Sequence, residues 1–330
     1  MNKEFTQNIQ IEQKTLSKNT SNANLVNKNN ENKLKKKNKK NVSIGTIAIY
    51  VILGLYTLFL MAPFLVIIIT SFTPDSEYLE ASSYIWFPSH FSLEGYQSVF
   101  LDDPYAVDGI PSLLRGFINS MWITLIPLVS GLFMSCLVAY CYSKNKFPAK
   151  NVLFMITVTT MFIPLGAFSF VSYMFYQEIG WTEGIASVLP LIIPGLFGSA
   201  GTIFFLRPYV DSISTEMIEA AKIDGMGFWQ IFFKIIFPLS KPAIIAQFIF
   251  GFVGGYNNYS GALLYLGTGD ESLWTLQLSL NNMISYLSSG DGGYNVKCAL
   301  TLMAMIPLIL VYIICQKYFI GGISFGGGKE

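Results

Sequence analysis

The chain has 330 residues, 52% of them hydrophobic and only 12% charged. Globular domains carry about 25% charged residues, so this composition excludes an ordinary water-soluble domain. Together with long uncharged runs it describes an all-α polytopic membrane protein, in which the net charge of +1 conceals a strong segregation of charges.

Residues 1–42 are rich in Asn, Lys and Gln and lack apolar periodicity, which predicts a disordered tail. The tail ends in a basic run from Lys33 to Lys40. Such a run beside a span is a topology signal, with specific attraction to anionic lipid as the alternative. The tail is too long for the charged region of a signal peptide, and the first span has no evident cleavage site, so an uncleaved anchor is expected.

Six apolar segments follow in the remaining residues, 43–330: Thr46–Thr70, Phe117–Cys141, Val152–Tyr176, Ala186–Leu206, Ala243–Tyr265 and Ala299–Phe319. Most reach the roughly 20 residues that cross a hydrocarbon core. Pro190, Pro194 and Gly195 predict a kink in the fourth. No Asp, Glu, Arg or His falls within any of the six, and their single Lys, Lys317, stands near the end of the last. Proton relays and voltage sensors need such groups inside the membrane, so a proton-coupled transporter is disfavoured. A membrane enzyme or passive channel needs a catalytic cluster or a charged filter, and the spans show neither.

Nineteen of the 21 Lys and Arg lie in the tail, in residues 142–151, in residues 207–242 or at the C-terminal end. Twelve of the 20 acids lie in the alternate loops. By the positive-inside rule both termini and the 207–242 stretch face the cytoplasm of a multi-pass plasma-membrane protein.

That stretch reads as two short helices. Ser214 is a candidate N-cap, with Glu216 in the first turn and an apolar face of Met217, Ile218, Ala220 and Ala221. Gly225 suits the left-handed residue that ends a helix. A second apolar pattern runs from Phe228 through Ile231, Phe232, Ile235 and Ile236, and Pro238 and Pro242 are expected to stop it. In the fifth span, Tyr256-Asn257-Asn258-Tyr259 offers amides and phenols suited to neutral hydroxyl-rich ligands. Interhelical hydrogen bonding and close packing through Gly251 and Gly255 would use the same residues. The four cysteines, Cys136, Cys141, Cys298 and Cys315, have no metal-ligand spacing and, with His90 the one histidine, build no metal or cofactor site. No Gly-x4-Gly-Lys-Ser/Thr phosphate loop is present, so the chain does not itself hydrolyse ATP. No feature points to nucleic acid.

Glu219-Ala220-Ala221, Asp224-Gly225 and the later Pro238 resemble the EAA loop of ABC importer membrane subunits. The alternative for this amphipathic stretch is a segment lying on the headgroups. Shorter segments resemble the carbohydrate, maltose-permease-type branch: Phe72-Thr-Pro-Asp, Phe91-Ser-Leu, Asn119-Ser120, Phe147-Pro148, Leu206-Arg207 and Gln316 to Ile323. The resemblance covers about residues 45–329. It implies a type I importer permease fold and no enzymatic activity in this subunit. It also implies a coupling helix, carrying Glu219, Ala220, Ala221, Asp224, Gly225 and Pro238, docked on two ATP-binding ABC ATPase subunits. The other implied partners are a homologous second permease, the lipid bilayer and an extracellular sugar-binding protein. The substrate pathway would pass Tyr256, Asn257, Asn258 and Tyr259. A peptide, polyamine or glycerol phosphate diester is the alternative solute.

Overall fold

A computed structural model describes residues 44–80, 85–288 and 293–322. The basic tail and the terminal Gly326–Lys329 lie outside the described residues. The regular elements among the described residues are all helices, apart from one isolated bridge between Val107 and Ile110. The chain divides after Pro63 into two units.

The first unit holds α1 (Ile44–Ser71) as far as Pro63. Its side chains are exposed and almost wholly apolar, as a helix solvated by lipid or by other helices requires.

The second unit begins at Phe64. Short helices α2 (Asp75–Glu80) and α3 (Glu94–Leu101) precede α4 (Ser112–Lys144), a 33-residue helix. Next come α5 (Lys150–Phe162) and α6 (Gly166–Glu178), bent by 71° across Pro164. The predicted kink in the fourth segment is a longer unwinding. Residues 184–197 alternate 3-10 and α turns, Gly198 takes φ +90°, and regular helix resumes at α7 (Ala200–Asp211). Two prolines without donors make a regular ladder impossible there. Ser199 then caps α7 by accepting from Thr202 N at 3.1 Å.

Beyond α7 lie α8 (Thr215–Ile223), α9 (Phe228–Leu239), α10 (Lys241–Tyr256) and α11 (Tyr259–Leu266). The set closes with α12 (Leu276–Ser288) and α13 (Tyr294–Gly322). Among the described residues four helices are long and apolar enough to cross a membrane, and six spans result if each of two bent pairs is one span. The six-span expectation therefore agrees, with different limits in the fifth. Ala243–Tyr265 is not one helix. It breaks at Asn257–Asn258, and Asn258 starts α11 by accepting from Gly261 N at 3.0 Å. Gly254 and Gly255 weaken the last turn of α10, and the asparagine side chain supplies the alternative hydrogen bond.

α4 is the axis of the second unit. Small residues allow close approach on two of its sides. A Cβ on Gly131 would stand 2.5 Å from the Gly195 carbonyl oxygen, and one on Gly255 would stand 2.7 Å from Thr124 Cγ2. Gly251 meets Leu128 in the same way, as its spacing from Gly255 predicts. At the other end of the chain, Asp75 fastens the start of α13 by accepting from Gly293 N at 2.7 Å and Tyr294 N at 3.0 Å. The carboxylate satisfies amide donors that a helix leaves unpaired at its beginning.

Candidate functional site

Two regions carry the residues singled out in the sequence. The first is α8 with α9. α8 ends in a Schellman turn: Met226 N donates to Ala221 O at 2.9 Å and Gly225 N to Lys222 O at 3.0 Å. Gly225 takes φ +80°, as predicted. Ser214 occupies the N-cap position but its side chain makes no capping bond, a correction to the sequence reading; Glu216 does lie in the first turn.

The predicted apolar face of α8 divides in two. Ile218 and Ala221 are buried in a cluster with Cys136, Tyr140, Leu206 and Phe232. Met217, Ala220 and Ile223 point outward, and Ile223 is 87% exposed. Glu219, Asp224 and Gly225 are exposed beside them. Ala220 is thus available to a partner, whereas Ala221 secures α8 to its own chain.

α9 ends where the two prolines predict: it runs to Leu239, one residue past Pro238, breaks at Ser240 ahead of Pro242, and meets α10 at 70°. Proline crowds the carbonyl four residues back. That residue is Lys234, which lies inside a π-helical turn, Phe232–Ile236, where the wider ring leaves room. Gly227 opens α9, and Gln230 Oε1 accepts from its N–H at 3.0 Å. Tyr140 stacks on Phe228 with centroids 5.0 Å apart and on Phe232 at 6.0 Å, fixing α9 against α4. Lys144 completes the support. Its Nζ donates to Asp211 O at 2.9 Å and Ile213 O at 2.6 Å, holding the chain that enters α8.

The second region is a groove along α4. It has a volume of about 290 Å³ and runs from Ser120 to Leu132. The opposite walls come from residues 191–202 and from α10. Its polar side chains are Ser120, Thr124, Ser199, Thr202, Gln247, Asn258 and Thr275, and none of its lining residues is charged. Asn258 lies in the groove. Asn257 is exposed next to it and accepts from Gln277 Nε2 at 2.9 Å. Tyr259 is half-buried. Tyr256 stands apart from its three neighbours. It is 1% exposed, packs on Phe252, and donates to Ala304 O at 3.0 Å. It braces α10 on α13 and is not among the residues that line the groove along α4.

Two residues quoted only for their resemblance acquire a physical role. Asn119 Nδ2 donates to Ser272 O at 2.8 Å and Trp274 O at 3.0 Å. Ser120 Oγ accepts from Leu276 N at 2.8 Å. Together they pin the 267–276 loop to α4. Contacts 153 to 156 residues apart in sequence leave no local signal that would find them.

Residues 128–324 match the family model described as "Binding-protein-dependent transport system inner membrane component", which covers more than half of the chain. The chain belongs to this family. It is a permease component, not an enzyme. The permease is 28% identical over 268 residues to the "Arabinooligosaccharides transport system permease protein AraQ" of Halalkalibacterium halodurans, covering 81% of this chain and 90% of the relative. It is 29% identical over 294 residues to the "Polygalacturonan/rhamnogalacturonan transport system permease protein YtcP" of Bacillus subtilis, covering 85% and 96%. Its fold matches a chain of a bacterial ABC transporter involved in the import of the acidic polysaccharide alginate. There the TM-score is 0.69, the identity 24%, and the coverage 85% of this chain and 98% of that one.

Proposed function

We propose that the permease forms half of the translocation pathway of an ATP-driven saccharide importer and couples it to ATPase subunits through α8. The observation that carries the coupling is the exposed outer face of α8. Met217, Ala220 and Ile223 present apolar surface, rimmed by Glu219 and Asp224, while Ile218 and Ala221 anchor the helix from behind. An exposed apolar face on a firmly held helix marks a partner surface. Supporting the saccharide are the uncharged groove and the carbohydrate names of the similar permeases. A charged solute would need a countercharge along its path.

The complete machine in this reading contains a second, homologous permease, two ATPase subunits and an extracellular binding protein. Residues 43–330 form the transmembrane domain, and residues 1–42 a cytoplasmic tail. Both termini are cytoplasmic. ATP closes the ATPase dimer, the docked α8 helices move together, and the pathway opens outward past Asn257, Asn258 and Tyr259. A photo-crosslinking residue placed at Ile223 tests the docking. Crosslinks to the ATPase subunit are expected there and none from Leu101, which is 79% exposed in an outer segment. Crosslinks from Ile223 to lipid alone would show that α8 lies on the headgroups instead.

A further inference from the structure

Another cavity lies at the end of α4, where residues 144–147 face α8. Its volume of about 570 Å³ is that of a ligand site. Thr215, Ile218, Glu219 and Lys222 line it from α8 with the spacing of a single helix face. Ile218 is an apolar floor, held from behind in the cluster with Tyr140. The facing wall brings Lys144, Lys146 and Phe147. Three lysines thus line the cavity against one carboxylate, Glu219.

These lysines have donors to give. Lys146 and Lys222 are exposed, and among the described residues their side chains make no hydrogen bond or ion pair. Lys144 uses two donors on the carbonyls of Asp211 and Ile213, which leaves one of its three. Like charges gathered at one cavity repel, and an anion between them reverses the sign of that energy. Lysine binds phosphate as a point charge. The Asn145 amide and the Thr215 hydroxyl add neutral donors.

Position decides where the anion comes from. Lys144 stands three residues beyond Cys141, the end of the apolar segment, or about 4.5 Å along the helix axis. The headgroup layer is roughly 5–7 Å deep on each side of the hydrocarbon core, so the cavity lies at headgroup level. Phe147 is exposed at its edge, as aromatic residues at a membrane interface are. The α8 face lining the cavity also points away from Met217, Ala220 and Ile223, the surface proposed above for the ATPase. At 3.6 residues per turn the two faces are roughly 150° apart.

We propose that this cavity seats the phosphate of an anionic lipid headgroup, with Lys146 and Lys222 as its principal charges. Because one wall is α8, the seated lipid ties that helix to the bilayer surface.

The test measures lipid bound to the purified complex in detergent by native mass spectrometry. Phosphatidylglycerol, phosphatidylcholine and soluble glycerol phosphate are the probes, and phosphatidylglycerol is expected to bind most tightly. Lys146→Gln combined with Lys222→Gln should weaken it about 30-fold, near fivefold per lysine. Lys234→Gln combined with Lys241→Gln removes the same charge from exposed positions outside the cavity and should leave binding near wild type. Lys146→Arg with Lys222→Arg should preserve binding, and Glu219→Gln should strengthen it. Equal losses from the two glutamine pairs overturn the site in favour of diffuse surface attraction. Phosphatidylcholine bound as tightly as phosphatidylglycerol overturns the charge recognition. Displacement of the lipid by glycerol phosphate at equal concentration makes the ligand a free anion and overturns the lipid. Loss of the ATPase from the Lys146→Gln, Lys222→Gln complex with lipid binding unchanged assigns the lysines to a protein partner instead. No transport enters the measurement, so its failure leaves the saccharide reading standing, and a failed import assay leaves the lipid site standing.

Discussion

Gly225 shows how one residue sets the geometry of α8. A Cβ there would meet no atom within 4 Å, so the demand for glycine is conformational and not steric. Left-handed backbone costs most residues about 1–2 kcal/mol, while Asn tolerates it. Gly225→Asn should therefore keep ATPase association and uptake near wild type. Gly225→Val should leave membrane insertion intact but weaken co-purification of the ATPase. Equal behaviour of the two variants would show that the turn is not what presents α8. Tyr256 differs in kind, because its hydroxyl serves packing. Tyr256→Phe should cost about 0.5–1.5 kcal/mol of stability, seen as a lower melting temperature with an unaltered solute preference. Sequence pattern identified Gly225 because a helix stop is local. It grouped Tyr256 with its three neighbours because a four-residue element reads alike whichever side chain turns inward, whereas the structure buries Tyr256 against α13.

Among the helices, one close joint lies between α4 and residues 193–199. Gly131 faces the Gly195 carbonyl, Gly195 faces Pro127, and Gly198 takes φ +90° beside Ser135. Gly131→Ala places a methyl group where only 2.5 Å is free, and overpacking of this kind costs about 1–3 kcal/mol. The melting temperature of the purified complex should fall by several degrees, and an unchanged value would mean that the two elements are not in contact. The existence of the apolar segments was legible in the sequence, since lipid demands continuous hydrophobic length. Their interruptions were legible only in part. Pro190, Pro194 and Gly195 announced the unwound fourth segment, and Pro238 and Pro242 the break at Ser240, but nothing announced the π turn before it. The break at Asn257–Asn258 also went unread, because a cap inside an apolar run looks like an embedded polar motif.

For the whole molecule, segregated charge predicts which loops face which side. Single cysteines in a cysteine-less background test it. Gln97→Cys and Thr268→Cys should react with an impermeant reagent from outside, and Ser214→Cys and Gln230→Cys only after the membrane is opened. All four positions are exposed, unlike Ser240, whose burial would mask its sidedness. External labelling at Ser214 would place α8 on the side where no ATP is found. The most direct measurement is uptake by vesicles holding the complete complex. Import of a neutral labelled oligosaccharide should require internal access to ATP, the binding protein and an intact α8 turn together. Import driven by a proton gradient without ATP, or a strong preference for a charged peptide over every neutral saccharide offered, would contradict an ATP-coupled saccharide pathway.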